Sequence, residues 1–160
     1  MKLLKPNFWD KDKISIVAVF LFPTTILIKA LFFLKKIFTK EYTFNIPVIC
    51  IGNIYLGGTG KTPLCIEMFS ILNQLNMKPA FIRKKYNSFT DEVKLQKKVG
   101  ILFEDNKRIV AIRNAVNSGI NVAILDDGFQ DFSIKKDISI VCFSERQWIG
   151  NGLTIPSGPL

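Results

Sequence analysis

Apolar residues fall into one long run and several short ones, and the two kinds of run predict different elements. The long run extends from Ile14 to Leu34 and contains a single charged residue, Lys29, in twenty-one positions. Its length matches the roughly 20 residues that a helix needs to cross a bilayer. Pro23 interrupts the run, and Lys29 would be costly at the bilayer centre. A kinked helix lying in one leaflet therefore fits the pattern as well as a full span does, and a helix buried in a soluble core is the third alternative.

The short apolar runs predict the strands of a core sheet. They are Ile46–Ile51, Pro79–Ile82, Val99–Phe103, Val122–Leu125 and Ile138–Phe143. Apolar residues recur at helical spacing from Pro63 to Leu75 and from Glu104 to Ser118, which predicts two helices. The stretch from Arg83 to Lys98 is interpreted as a polar, charged connection. Alternating strands and helices predict an α/β fold with a mostly parallel sheet flanked by helices.

A glycine-rich stretch joins the first of these strands to the following helix. It reads Gly-Asn-Ile-Tyr-Leu-Gly-Gly-Thr-Gly-Lys-Thr from Gly52 to Thr62. A strand, a glycine-rich turn and a helix N-terminus in this order form a phosphate-binding loop, where main-chain N–H groups, the helix dipole and a lysine converge on an anion. Lys61 is the expected phosphate-binding lysine, and Thr62 is the expected Mg²⁺ ligand. Tyr55 replaces the first consensus glycine, and a turn that binds no ligand is the alternative interpretation.

Two adjacent carboxylates follow an entirely apolar short run. Val122–Leu125 has the composition of a central parallel strand, and Asp126 and Asp127 come directly after it. Sheets of this kind bind ligands at the carboxyl ends of their strands. In phosphate-loop proteins an acid at this point holds Mg²⁺ or one of its waters beside the loop threonine. We therefore predict a metal site formed by Thr62, Asp126 and Asp127, and a plain polar turn is the alternative.

Composition and charge indicate the cellular compartment and the kind of partner to expect. The apolar fraction of 48% excludes a disordered chain. Residues 1–40 carry eight lysines against Asp10 and Asp12, so they hold +6 of the net charge of +9. Positive charge around the most apolar stretch points to an anionic membrane surface rather than to nucleic acid. The chain has no histidine, and its three cysteines show no C-x-x-C spacing, which argues against a zinc site and favours reduced thiols in a cytosolic compartment.

Three groups of residues together resemble the tetraacyldisaccharide 4'-kinase family, the lipid A 4'-kinases. They are Gly52–Pro63, the sequence Asp126-Asp127-Gly128-Phe129-Gln130, and Gly150-Asn151-Gly152 followed by Pro156-Ser157-Gly158-Pro159-Leu160. With Asn7-Phe8-Trp9 and the apolar N-terminal segment, the similarity covers nearly the whole chain. A generic phosphate-loop protein has no reason to carry the second and third groups.

The resemblance implies a P-loop NTPase-like enzyme on the cytoplasmic face of the bacterial inner membrane. It would use ATP and Mg²⁺ to phosphorylate the 4'-hydroxyl of a tetraacyl glucosamine disaccharide 1-phosphate in lipid A biosynthesis. Lys61 and Asp91 would be its catalytic residues, with Asp91 matched to the family's Gly-Asp-Glu signature and accepting the proton of the sugar hydroxyl. The implied ATP-binding residues are Tyr55, Leu56, Gly57, Gly58, Thr59, Gly60, Lys61 and Thr62.

The sequence predicts two parts, a membrane-associating helix with basic flanks in residues 1–40 and a P-loop nucleotide-binding domain in residues 41–160. The final Pro-Ser-Gly-Pro-Leu resembles a lead into more protein, and the family's C-terminal domain, which supplies a histidine partner to the catalytic carboxylate, is expected to be absent. Two other functions stay open, a truncated remnant that binds nucleotide without transfer and a membrane-associated switch ATPase. Leu56 stands where switch ATPases of the partitioning type carry a signature lysine, which counts against the second. The oligomeric state is not determined by the sequence.

Overall fold

The computed structural model describes residues 6–9, 14–53, 60–85, 91–145 and 148–160. Within these ranges the chain forms two compact units. One contains the N-terminal helix and the segment Phe143–Leu160, and the other contains the sheet with its flanking helices.

In the part of the chain that the structure describes, the sheet unit contains five parallel strands and three helices. The strands are β1 (Val48–Gly52), β2 (Pro79–Lys84), β3 (Leu102–Asp105), β4 (Val122–Asp126) and β5 (Ile138–Val141), arranged in the order β3-β2-β4-β1-β5. The helices are α2 (Lys61–Gln74), α3 (Asp91–Val99) and α4 (Arg108–Asn117). The predicted α/β class with a parallel sheet is confirmed.

Two apolar layers cover the two faces of the sheet. Successive residues of a strand point to opposite faces, so Ile49 and Ile51 of β1 pack with Cys65 and Phe69 of α2. The alternate strand residues, such as Cys50, pack in a second cluster with α4. All five residues of β1 and of β4 are buried, which explains why these central strands appear as continuous apolar runs.

The largest differences from the sequence prediction concern α3, β3 and the start of α4. Helix α3 occupies residues that the sequence analysis assigned to a polar connection. The helix was missed because its buried face consists of only Val93 and Gln96, and one of these is polar. Strand β3 begins at Leu102 rather than Val99. Helix α4 begins at Arg108, since residues up to Asp105 pair with β2 as part of β3.

The other unit is built around α1 (Ile16–Phe38), which follows a short 3-10 turn at Asn7–Trp9. By length and composition, α1 could cross a membrane, and it is the one helix of the described residues that meets both criteria. Ala18 and Thr25 are its buried residues. Thr25 contacts the C-terminal segment, because its hydroxyl lies 2.8 Å from that of Ser157. The indole of Trp9 donates a hydrogen bond to the carbonyl of Pro156.

Candidate functional site

The phosphate-loop sequence leaves the sheet at the end of β1. Gly52 is buried there, and a Cβ atom at this position would lie 2.7 Å from the ring of Phe129. Only glycine therefore fits under that ring. The structure does not describe residues 54–59, so the predicted ATP ligands Tyr55, Leu56, Gly57, Gly58 and Thr59 lie outside the described residues.

Helix α2 begins directly after the loop. Gly60 has a φ of 78°, which is a left-handed conformation, and it provides no side-chain hydrogen bond to cap the helix. Lys61 and Thr62 form the first turn, and Thr62 is buried. A helix N-terminus that begins at a glycine and a lysine presents main-chain N–H groups and positive charge to an anion. The start of α2 therefore lies where the sequence predicted a helix N-terminus, and the binding of phosphate by Lys61 and of Mg²⁺ by Thr62 stays a prediction.

The strand order brings the two predicted acids to this helix start. Strand β4 pairs with β1, and Asp126 is in register with Ile51, one residue before Gly52. Asp127 follows with its carboxylate oxygen 3.7 Å from the Nζ of Lys61. The lysine and the acidic pair predicted from separate stretches therefore lie at one edge of the sheet, formed by the carboxyl ends of β1 and β4. We call this the carboxyl edge.

Asp126 and Asp127 differ in environment. Asp126 is buried, and its Oδ2 accepts a hydrogen bond of 2.9 Å from the Nε2 of Gln96 and lies 3.4 Å from a guanidinium nitrogen of Arg83. Burial raises the pKa of Asp126, while the charge of Arg83 and the hydrogen bond from Gln96 act in the opposite direction. The side chain of Asp127 is 48% exposed. Of the two carboxylates, Asp127 is the one accessible to a ligand from solvent.

Asp91 lies at the first position of α3, where the structure gives it a solvent-facing environment. Its side chain is 93% exposed and its carboxylate lies 3.1 Å from the Nζ of Lys94. The neighbouring Glu92 points to the carboxyl edge, since it pairs at 3.0 Å with Arg83, which also contacts Asp126. Among the predicted residues, Lys61 contacts Asp127, and Asp126 adjoins Asp127 in the chain. The described contact of Asp91 is with Lys94 instead.

Sequence reasoning missed three polar residues of this edge. Arg83 and Gln96 contact Asp126, and Arg108 donates a hydrogen bond of 2.7 Å to the main-chain carbonyl of Asp127. Arg83 had a usable signal, because it follows the apolar run Ala80–Ile82 just as Asp126 follows Val122–Leu125. Gln96 and Arg108 are in helices whose neighbouring residues are charged, and their sequence pattern resembles an exposed surface.

Comparison with known proteins identifies the family. The family model described as tetraacyldisaccharide-1-P 4'-kinase matches residues 17–100 and 90–160. The chain belongs to this family. It is 51% identical over 162 residues to a tetraacyldisaccharide 4'-kinase of Pelagibacter ubique, covering 100% of the chain and 51% of that protein. It is 32% identical to the tetraacyldisaccharide 4'-kinase of Rickettsia bellii, covering 100% of the chain and 54% of that protein.

A solved tetraacyldisaccharide 4'-kinase has the same fold. LpxK from Aquifex aeolicus, crystallised in complex with ATP, aligns with a TM-score of 0.69 and 20% identity over 91% of this chain and 54% of its own length. The predicted family resemblance and P-loop-like fold are confirmed. The chain spans about half the length of the relatives it matches. The activity of the full-length relatives is therefore a proposal for this chain.

Proposed function

We propose that the protein is the nucleotide-binding part of a kinase that transfers the γ-phosphoryl group of ATP to the 4'-hydroxyl of a tetraacyl disaccharide 1-phosphate. Family membership supports this activity. The structural observation that carries the proposal is the 3.7 Å approach of Lys61 to Asp127 at the carboxyl edge. A phosphate-binding cation and a carboxylate that can hold a metal must be neighbours in a site that binds a magnesium nucleotide.

The loop and the start of α2 would bind the phosphates of ATP. Tyr55 to Thr59 would surround them with main-chain N–H groups, and Gly60 would allow the close turn into the helix. Lys61 would place its charge on the β- and γ-phosphates, where negative charge accumulates as the phosphoryl group moves. Its contact with Asp127 orients the ammonium group beforehand, so little reorganisation is needed when the nucleotide binds.

The residues present fit Mg²⁺. Thr62, Asp126 and Asp127 offer only oxygen donors, which this ion prefers, and a cluster of three or more metal-binding His, Cys, Asp or Glu residues does not occur among the described residues. Mg²⁺ in nucleotide sites is held by one or two side chains together with phosphate oxygens and water, so a complete protein cage is not required. When bound, the ion would neutralise phosphate charge. Asp127 and Thr62 would be its direct ligands, and Asp126 would organise its waters.

Asp91 is proposed as the proton acceptor. As the oxygen of the sugar hydroxyl forms a bond to the γ-phosphorus, the bond from that phosphorus to the β–γ bridging oxygen breaks, ADP leaves, and the hydroxyl proton passes to the carboxylate of Asp91. The exposure of this side chain gives a lipid headgroup access to it. Most of the rate would come from positioning and charge stabilisation rather than from proton transfer.

One assay distinguishes this activity from the alternatives. The protein is incubated with ATP, Mg²⁺ and tetraacyl disaccharide 1-phosphate in detergent, and the bisphosphorylated lipid is measured. We expect Lys61→Ala to reduce product by about 100-fold or more, whereas Lys98→Ala, which removes an exposed lysine of α3, should have no effect. Nucleotide binding without product would support the remnant, and ATP hydrolysis independent of the lipid would support the switch ATPase.

We also propose that α1 lies in the cytoplasmic leaflet of the inner membrane and anchors the protein there without crossing the bilayer. From Lys29 to Phe38 every residue is exposed, and the apolar run between Lys29 and Lys35 is followed by Lys36 and two further large apolar side chains. An apolar surface bordered by lysines suits the interface of an anionic bilayer. This surface belongs to the predicted membrane-associating part, residues 1–40.

Contacts within this unit argue against a full span. Trp9 precedes the helix and Thr25 lies near its middle, yet both bond to the segment Thr154–Ser157. If α1 crossed the bilayer, this irregular segment would lie at the depth of Thr25, where unpaired main-chain groups are not tolerated in contact with lipid. The 13 residues from Ile26 to Phe38 extend only about 20 Å, which is less than the hydrocarbon thickness of roughly 30 Å.

Topology labelling tests this proposal. Single cysteines are introduced by Asn7→Cys and Lys40→Cys, on exposed residues before and after the helix. The three native cysteines are buried, so their background reactivity should be low. A membrane-impermeant maleimide should label neither position from outside intact spheroplasts and both positions after lysis. Labelling of only one of the two from outside would establish a crossing helix and overturn the proposal.

A further inference from the structure

Asp127 has an unusual main-chain conformation. Its φ of 59° lies in the left-handed region, which few residues other than glycine, asparagine and aspartate occupy and which tends to occur at functional sites. Its N–H donates a hydrogen bond of 2.8 Å to the carbonyl of Ile51. Such a conformation persists only where the surrounding structure holds it, so the groups that hold this peptide determine where the Asp127 carboxylate points.

Arg108 holds the other side of the same residue. It is the first residue of α4, its side chain is 9% exposed, and it donates a hydrogen bond of 2.7 Å to the carbonyl of Asp127. A second guanidinium nitrogen lies 3.4 Å from the Oδ2 of Asp131. Asp131 is itself fixed by hydrogen bonds from the N–H and hydroxyl of Ser133. Arg108 therefore connects Asp127 to a hydrogen-bonded part of the following turn.

The turn leaves little room for a different arrangement. A Cβ atom at Gly128 would lie 3.2 Å from the side chain of Leu125 and 3.3 Å from the sulfur of Cys50, so the chain after Asp127 passes tightly over the core. The Nε of Arg108 is buried and has no hydrogen-bond partner among the described residues. A buried guanidinium that is only partly satisfied is a poor way to gain stability, which favours a role in positioning.

We propose that Arg108 is a positioning residue that fixes the Asp127 peptide and thereby keeps the Asp127 carboxylate beside Lys61. This inference rests on the proposed function, since it assigns a purpose to the placement of Asp127 in magnesium nucleotide binding. Arg108 would not touch the nucleotide. It would act through the main chain of Asp127, as residues behind a metal ligand commonly do.

The first test compares two arginines of the same helix. Arg108→Gln removes the buried guanidinium, and Arg113→Gln removes an exposed one from α4 as the matched control. Titration with a fluorescent ATP analogue and Mg²⁺ should show affinity reduced about 10- to 100-fold for Arg108→Gln and unchanged affinity for Arg113→Gln. In an Asp127→Ala background, Arg108→Gln should cause little further loss. Equal losses in both backgrounds would mean that Arg108 does not act through Asp127.

Hydrogen exchange provides a readout that needs no nucleotide. Arg108→Gln should accelerate exchange of the Asp127 amide, while amides in the centres of β1 and β4 keep their protection. Uniform acceleration throughout the sheet, or none at Asp127, would overturn the inference; if Arg108→Gln does not fold, Arg108→Lys is measured in the same way. If the unsubstituted chain binds no nucleotide, the proposed function fails, and the exchange result still decides whether Arg108 holds Asp127.

Discussion

A buried pair of hydroxyl groups gives the sharpest prediction for the unit that contains α1. The Oγ1 of Thr25 lies 2.8 Å from the Oγ of Ser157 and accepts a hydrogen bond of 3.4 Å from the Ser157 N–H. Thr25 also reaches the carbonyls of Leu21 and Thr154, at 3.5 and 3.3 Å. Thr25 is 1% exposed and Ser157 is 0% exposed, so water cannot replace a lost partner.

The two single substitutions should differ in cost. Thr25→Val keeps the shape of the side chain. It removes the hydroxyl that is the hydrogen-bond partner of both the hydroxyl and the N–H of Ser157. Each buried polar group left unpaired costs about 1–3 kcal/mol, so the two groups together should lower the free energy of unfolding by about 2–6 kcal/mol. Ser157→Ala leaves Thr25 bonded to carbonyls and to the main-chain N–H, and should cost about 0.5–1.5 kcal/mol. The double variant should cost less than the sum of the two single losses.

Trp9 provides the probe, because it is buried and bonded to Pro156 in the same unit. In a Trp148→Phe background, its fluorescence is followed through urea unfolding in detergent. Thr24→Val is the matched control, since it removes the same hydroxyl from the adjacent exposed residue, and it should change stability by less than about 0.5 kcal/mol. Equal losses for Thr24→Val and Thr25→Val would refute the argument.

Three further outcomes are expected from the sheet unit. Gly100→Ala should destabilise the protein by about 1–3 kcal/mol in urea unfolding, because the added Cβ would meet the buried ring of Phe69 at 2.2 Å. A Cβ at Gly119 would meet no atom within 4 Å, but the φ there is +80°, so Gly119→Ala should lower the free energy of unfolding by about 1 kcal/mol. Burial alone would raise the pKa of Asp131, but hydrogen bonds from Ser133 and the nearby guanidinium of Arg108 lower it below its ordinary 3.8. Asp131→Asn should therefore be less stable than the unsubstituted protein at neutral pH. The difference in stability should vanish as the pH falls through that lowered pKa. All three thiols are buried and have raised pKa values, so Ellman's reagent should react with them only on unfolding, and fast reaction of the folded protein would contradict their burial.

The sequence was informative where burial is two-sided. Strands β1 and β4 are buried at every position, so their apolar runs could not be mistaken for surface. The helix α3 was missed because two of its residues supply its buried face, too few to create a period. Edge strand β3 is only partly buried at each position, which explains why its boundaries were misplaced.

The candidate site was predictable as chemistry but not as geometry. Lys61, Thr62 and the acidic pair were recognisable because residue type and spacing alone suggest phosphate and metal binding. The phosphate-loop pattern predicted that the two stretches meet, but the direct pairing of β4 with β1 could not be read from the chain, since two other strands and three helices separate them. That adjacency is what places Asp127 at 3.7 Å from Lys61.

The unsatisfied polar atoms of the protein also point to the carboxyl edge. Among the described residues, three buried side-chain nitrogen or oxygen atoms have no hydrogen-bond partner, and they belong to Arg83, Gln96 and Arg108. The Arg83 atom is the Nη1 that lies 3.4 Å from the Oδ2 of Asp126, so it is ion-paired without a hydrogen bond. Arg83 and Gln96 contact Asp126, and Arg108 bonds to Asp127. The unpartnered atoms of Gln96 and Arg108 cost stability, so selection for stability alone would not place both beside one acidic pair. Their concentration there, together with the raised pKa of Asp126 and the left-handed main chain of Asp127, supports our proposal that the carboxyl edge binds a charged ligand.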